Sequence, residues 1–209
     1  MSANDQIAEE NQELLDSKNI LTINVMASPG SGKTSLILRT IENLSNQFNI
    51  AVIEGDTAPV TIDSDKISNL NIPVIQINTG GECHLDALMV RSGLEKLDLS
   101  DIDLLIIENV GNLICPAAFR LGEHFSIVVA SIPEGDDKPY KYPNIYRGIQ
   151  SLVLNKTDLL PYVDFNIDYF KNGIEALNPG AAFFPLSCKT GDGFARWTDW
   201  LKIRIQEMK

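Results

Sequence analysis

The chain has 209 residues, 44% of them hydrophobic and 22% charged, with a net charge of −11. That length suits one domain with a buried core, and the acidic balance argues against nucleic acid or an anionic membrane as a partner. The cysteines Cys83, Cys115 and Cys188 are too few and too odd in number for a disulfide framework. No apolar run reaches membrane-spanning length and the acidic N-terminus is not a secretory leader, so the expected setting is cytoplasmic.

Residues 1–17 read as an amphipathic helix whose thin apolar side is Ile7, Leu14 and Leu15. Residues 1–18 are expected to form a helical extension ahead of a nucleotide-binding domain over 19–209. Short runs rich in Val, Ile and Leu follow at 20–26, 50–55, 72–77, 103–108, 126–132, 151–155 and 182–187. They do not alternate cleanly, which is the pattern of strands covered on both faces.

Helical patterns lie between these strands. "KTSLILRTIENLSNQF" spaces Leu36, Ile37, Ile41 and Leu44 on one face, and "HLDALMVRSGLEKL" does the same with Leu85, Leu88, Met89 and Leu94. "DGFARWTDWLKIRIQEM" closes the chain as a helix. The stretch 133–146, "PEGDDKPYKYPNIY", reads as an irregular surface loop, too polar and proline-rich for the core. Strands alternating with helices predict an α/β fold of three layers around a mostly parallel sheet.

The first strand runs into "MASPGSGKTSL". This is a phosphate-binding loop in all but its first glycine, which is Ala27. Gly30, Ser31 and Gly32 let backbone N–H groups turn inward around phosphate oxygens. Lys33 reaches the β- and γ-phosphates, the Thr34 hydroxyl suits Mg²⁺, and Ser35 continues the helix whose N-terminus favours an anion. Ala27 sits at the strand exit, where a small side chain is tolerated.

The base is indicated by "NKTD" after the strand at 151–155. Asp158 can accept hydrogen bonds from guanine N1–H and its exocyclic amine, whereas adenine offers no such pair. Lys156 can lay its stem on the base and Asn155 can tie the loops together. Ser187, Cys188 and Lys189, "SCK" after the last strand, would complete the pocket. A helix cap is the alternative use of Thr157 or Asp158. The expected ligand is GTP or GDP.

For magnesium and catalysis the candidates are Thr34, Asp56 of "IEGD" and Glu108 of "ENVG", with Lys33 on the phosphates. Asp56 could equally cap a following helix. No glutamine stands out to position water, so slow intrinsic hydrolysis is expected.

A second cluster comprises Cys83 and His84, after a Gly-Gly turn, and Cys115, just past Glu108. Thiolate with imidazole suits Ni²⁺ or Zn²⁺, and a cysteine close to a helix N-terminus is expected to have a lowered pKa. Burial without metal is the competing reading, because no C-x-x-C is present. Three ligands leave a position for water or for a second copy of the chain. His124 and Cys188 read as structural.

Taken together, "SPGSGKTSL", "IEGD", "ECHLDA", "ENVGNLICPA", "EGDDKPYKYP", "NKTDLLPY" and "SCKTGDG" resemble the hydrogenase nickel-incorporation GTPase family, HypB, over nearly all of residues 18–209. "CHLDA" with "ENVGN.CPA" is the most specific pair. The related urease accessory GTPases would carry Cys-Pro-His, whereas Cys83 and His84 are adjacent here.

The resemblance implies a P-loop GTPase that forms a homodimer with GTP bound. It implies nickel or zinc held by Cys83, His84 and Cys115 at the dimer interface. Partners would be a small zinc-bearing nickel chaperone and the hydrogenase large subunit. By the same resemblance Lys138 or Lys141 would touch nucleotide, across the dimer. Residues 1–19 contain neither Cys nor His, so the N-terminal high-affinity nickel motif of some members is not expected.

The alternatives are a urease-accessory-type GTPase, a regulatory GTPase with structural cysteines, and a metal carrier with incidental nucleotide affinity. A P-loop kinase is disfavoured by "NKTD".

Overall fold

The computed structural model describes residues 2–57 and 72–209. Among the described residues seven strands form one sheet: β1 Leu21–Ala27, β2 Ile50–Asp56, β3 Val74–Asn78, β4 Leu104–Glu108, β5 Phe125–Ser131, β6 Ser151–Asn155 and β7 Ala182–Pro185. Their order across the sheet is β3-β2-β4-β1-β5-β6-β7, with every neighbouring pair parallel. The longer described helices are α1 Ala3–Ser17, α2 Lys33–Leu44, α3 Ala87–Leu94, α4 Ile167–Leu177 and α5 Phe194–Glu207.

The strands are buried on both sides, and their two-residue period divides the core into layers. Leu21, Ile23, Val25 and Ala27 of β1 face one way, against Leu36, Ile37, Ile41 and Leu44 of α2 and Trp197, Leu201 and Ile205 of α5. The opposite face is covered in two patches. Over β2 and β4, Ala51, Ile53, Leu105 and Ile107 pack with Leu15 of α1 and Val90 and Leu94 of α3. Over β5 and β6, Val128, Ala130, Leu152 and Leu154 pack with Phe170 and Ile174 of α4.

Three expectations need correction. The helix near Cys83 begins at Ala87, capped by Asp86, whose Oδ1 accepts from Met89 N at 2.7 Å. Leu85 is therefore buried from the loop rather than from a helix, and Leu88 is 58% exposed, because the inward face is Ala87, Val90, Gly93 and Leu94. In α1, Ile7 is only half-buried, and the inward line is Ala8, Asn11 and Leu15. The stretch 133–146 is not wholly peripheral: it holds single-turn helices Lys138–Lys141 and Pro143–Tyr146, and Ile145 and Tyr146 enter the core. Their apolar bulk outweighs the polar composition around them.

Both candidate regions lie where parallel strands end, the side on which open α/β sheets bind ligands. β1 occupies the middle of the sheet, so its C-terminal loop is flanked on either hand by the loops after β4 and β5.

Candidate functional site

Ala27 is the last residue of β1, fully buried, and paired in register with Val129. The chain leaves the extended conformation only beyond it, so the missing first glycine is not needed for a turn. The turn itself uses Gly30 at φ +76° and Gly32 at φ +101°, a region that only glycine occupies readily. Gly32 is the N-cap of α2 and offers no side chain to the helix. The first-turn N–H groups thus face the loop, the arrangement that favours an anion.

A cavity of about 400 Å³ opens above this loop. Its walls include Gly30, Gly32, Lys33, Thr34, Ser35, Asp56, Glu108 and Lys156, so the expected phosphate, magnesium and catalytic residues share one space. Thr34 Oγ1 donates to Glu108 Oε1 at 2.8 Å, which joins α2 to the end of β4. A Cβ added at Gly111 would stand 3.3 Å from Lys33 Nζ, so the glycine of "ENVG" lies close over the loop. Ser31 is buried and Ser31 Oγ donates to Ser28 O at 3.0 Å.

A second cavity of about 370 Å³ adjoins the first through Gly32, Ser35 and Lys156, and is completed by Asn155, Asp158, Leu159, Cys188 and Lys189. The expected base-reading residues other than Ser187 thus line one space, one cavity along from the phosphate loop, and Ser187 is buried behind Asp158. They are also tied down. Asn155 Nδ2 donates to Ser31 O at 3.0 Å, while its Oδ1 accepts from Lys156 N at 2.7 Å and Cys188 N at 3.0 Å. Lys156 sits at φ +63° and its Nζ donates to Gly30 O at 2.6 Å. Asp158 accepts from Ser187 Oγ at 2.6 Å, whereas no side chain caps the turn Thr157–Tyr162, so neither Thr157 nor Asp158 is used as a cap. Burial pushes the Cys188 thiol up to about 11.

Lys138 and Lys141 line neither cavity. Lys138 lies over the Tyr142 ring, and Lys141 pairs with Asp137. The alternative for Asp56, capping a following helix, falls on residues outside those described.

Cys83, His84 and Cys115 come together although 32 positions separate the cysteines. Each is half-buried, and their ligand atoms lie within 4.8 Å of one another. Cys83 Sγ is 2.6 Å from Cys115 Sγ and 3.9 Å from His84 Nδ1. Gly80 and Gly81, at φ +65° and +97°, turn the chain after β3 to bring Cys83 back. His84 is stacked on Phe119, with ring centroids 3.9 Å apart.

The Cys83 thiol is shifted up, not down as expected, chiefly by its contact with Cys115 and then by burial. The helix N-terminus that would have lowered it is occupied by the Asp86 cap. A dication between the sulfurs would reverse the balance, because it favours both thiolates.

A family model described as the CobW/HypB/UreG nucleotide-binding domain matches residues 21–185. The probable hydrogenase maturation factor HypB of Methanocaldococcus jannaschii is 42% identical, over 100% of this chain and 94% of that protein. The chain belongs to the HypB family. The HypB hydrogenase maturation factor of Azotobacter vinelandii is 43% identical over 97% of the chain, which spans 66% of that relative's length.

Two solved HypB structures share the fold. That of Archaeoglobus fulgidus HypB has a TM-score of 0.91 at 40% identity, covering 98% of this chain and 100% of its own. That of Helicobacter pylori HypB in complex with nickel has a TM-score of 0.93 at 34% identity, covering 99% and 96%.

Three residues of this HypB-family chain escaped the sequence reading. Glu54, buried, lines the phosphate cavity and is paired in register with Glu108. Its signal was present: two positions before Asp56 on a strand, it must share that face. Asn109 also lines the cavity, and its Oδ1 accepts from Leu85 N at 3.1 Å, beside His84. Glu134 accepts from Ser28 of the phosphate loop and from Ser131 Oγ at 2.8 Å, which anchors the segment leading to Lys138. The S-x-x-E spacing of Ser131 and Glu134 is a local capping signal, but the bonds that tie Glu134 to Ser28 and Asn109 to Leu85 are remote and leave no local mark.

Proposed function

We propose that the chain is a GTP-hydrolysing nickel metallochaperone for [NiFe]-hydrogenase maturation. Gly30, Ser31, Gly32, Lys33, Thr34 and Ser35 hold the phosphates. Asn155, Lys156, Asp158, Ser187, Cys188 and Lys189 read guanine. Thr34, Asp56 and Glu108 hold Mg²⁺, with Lys33, Asp56 and Glu108 acting in hydrolysis. Cys83, His84 and Cys115 take nickel or zinc, and a second copy of the chain completes the site at a GTP-dependent dimer interface. Lys138 and Lys141 turn toward nucleotide in that dimer. A small zinc-bearing chaperone and the hydrogenase large subunit are the exchange partners.

The observation that carries this reading is one short segment. Glu108, bonded to Thr34 in the phosphate cavity, and Cys115, in the thiol pair, stand seven residues apart on the chain leaving β4. A change at the γ-phosphate that moves Glu108 or Gly111 therefore moves a metal ligand. By linkage, GTP and metal would favour the same closed form, and hydrolysis would weaken the hold on metal. The nickel-bound structure of the H. pylori relative supports the choice of cargo.

The test is nickel stoichiometry per chain with a non-hydrolysable GTP analogue and with GDP, in wild type and Cys115→Ala. The proposal expects a site that is filled in wild type, lost in the variant and different between the two nucleotides. Equal nickel affinity in both nucleotide states would sink it. A second reading, delivery to urease as well, is favoured by the name of the H. pylori relative, "Hydrogenase/urease maturation factor HypB", 37% identical over 99% of this chain. Restoration of urease activity in a host lacking its own factor distinguishes the two.

A further inference from the structure

Behind the metal cluster, α1 lies across both segments that carry its ligands. Ala87 stands three residues after His84, and Arg120 and Leu121 stand five and six after Cys115. Asn4 bridges them: its Oδ1 accepts from Ala87 N at 2.9 Å and its Nδ2 donates to Arg120 O at 2.9 Å. Asn11, two helical turns on, bridges them again. Its Nδ2 donates to Ala87 O and to Leu121 O, each at 2.9 Å, and its Oδ1 accepts from Arg91 Nε at 2.6 Å.

Asn11 is fully buried on the inward line of an amphipathic helix, between Ala8 and Leu15. An apolar side chain would fill that position without the cost of desolvating an amide. The amide is instead satisfied three times over, by groups from two separate segments. The close approach has its own device: Gly122 is at φ +104°, and a Cβ there would lie 2.6 Å from Asn11 Cβ. Further contacts hold α1 in place, Arg91 to Glu10 at 3.0 Å, Arg120 to Gln12 at 3.2 Å, and His124 Nε2 to Asp16 at 2.9 Å.

We propose that Asn4 and Asn11 are positioning residues for the metal cluster: by pinning the Cys83–His84 segment to the Cys115 segment, the N-terminal helix sets how tightly the cluster grips a soft divalent cation. The inference rests on the metal reading given above. The geometry assigns the helix a task that its own composition, with no Cys or His, does not advertise. The three side chains themselves are half-buried, two on a bend and Cys115 at the start of a single 3₁₀ turn, so their separation is held from the rear.

The test uses the full-length chain as Asn4→Ala and Asn11→Asp. Asp keeps an acceptor for Arg91 but cannot donate to the two carbonyls. Three quantities are measured: Ni²⁺ affinity with the thiolate-to-nickel charge-transfer band, the rate at which dibromobimane bridges Cys83 and Cys115 in metal-free protein, and GDP affinity. Loosened support behind a ligand should weaken nickel binding about tenfold or more, alter the band and slow the bridging, with GDP affinity unchanged.

Wild-type nickel affinity and bridging rate in both variants would overturn the proposal. Should Asn11→Asp fail to fold, Asn4→Ala decides alone, since Asn4 is half-buried in the first turn. If wild type takes up no Cys115-dependent nickel, the metal reading falls. The bridging rates then still report whether α1 sets the thiol separation.

Discussion

In the nucleotide groove, loop is fastened to loop. Asn155 alone bonds the phosphate loop, its own turn and the Cys188 backbone, and Lys156 reaches Gly30. The cluster of Cys83, His84 and Cys115 is assembled differently. Its side chains sit half-exposed, two on the bend after β3 and Cys115 at the start of a short 3₁₀ helix, and the bonds that locate them come from behind, through Asn109 to Leu85 and through α1 to Ala87 and Leu121. A groove braced across its own mouth should tolerate little change and bind without rearrangement. A cluster braced from the rear leaves its side chains half-exposed, which suits the hand-over of metal proposed above.

The contrast can be broken by asking whether damage stays in its own region. The largest effect is expected for Lys33→Ala, which should lower GTP turnover by about 10²–10³-fold while leaving nickel binding by nucleotide-free protein intact. Steady-state GTPase assays beside a nickel titration check both halves. Cys115→Ala should do the reverse, weakening nickel by more than about 100-fold, beyond what losing a supporting group costs, with GDP affinity unchanged in calorimetry.

Gly32→Ala probes how rigid the bracing is. The left-handed backbone alone should cost ~1–3 kcal/mol, and the new methyl would collide with Asn155 Nδ2. Thermal unfolding should fall and guanine nucleotide affinity with it, since phosphate loop and base loop meet at that amide. Unchanged affinity would mean that the two loops are not coupled as described.

Two pH effects sharpen the comparison further. The Cys83 thiol holds its proton more tightly than an ordinary cysteine because of Cys115 beside it and burial. Metal uptake must displace that proton, so nickel affinity should rise with pH from neutral into the alkaline range, by at most about tenfold per unit for each proton released. A flat profile would mean that the thiols do not ligate.

In the groove, the folded Cys188 thiol titrates at about 11 against an ordinary 9.0. Its contribution to stability is complete below 9.0 and is lost as pH rises toward about 11, because only the unfolded chain has ionised there. The stability of wild type should slope downward across that window in denaturant titrations, and Cys188→Ala should flatten the slope.

The strands and the phosphate loop were legible in the sequence because they are local: apolar runs for β1 to β7, and a contiguous G-S-G-K-T before α2. The clustering of Cys83, His84 and Cys115 was legible from the expectation that strand-end loops share one side of the sheet and from the family resemblance. What could not be read depends on long-range closure. Leu85 looked helical until Asp86 took the cap, and Tyr146 looked superficial amid polar neighbours. Asn11 falls between Ile7 and Leu15 on the apolar side of its helix, but what it and Asn4 do is revealed only by their partners across the fold.

The sheet order has a consequence for how this molecule can be altered. With β1 in the middle, the loops that line the second cavity hang from β6 and β7 on one flank, and those bearing the sulfur and imidazole groups hang from β3 and β4 on the other. On the reading proposed above, fuel and cargo are therefore served from opposite flanks, joined by the central strand's loop and by the segment that leaves β4 from Glu108 to Cys115. Grafting a different ligand set onto the turns at 79–86 and 112–118 would change the freight while the engine stayed the same.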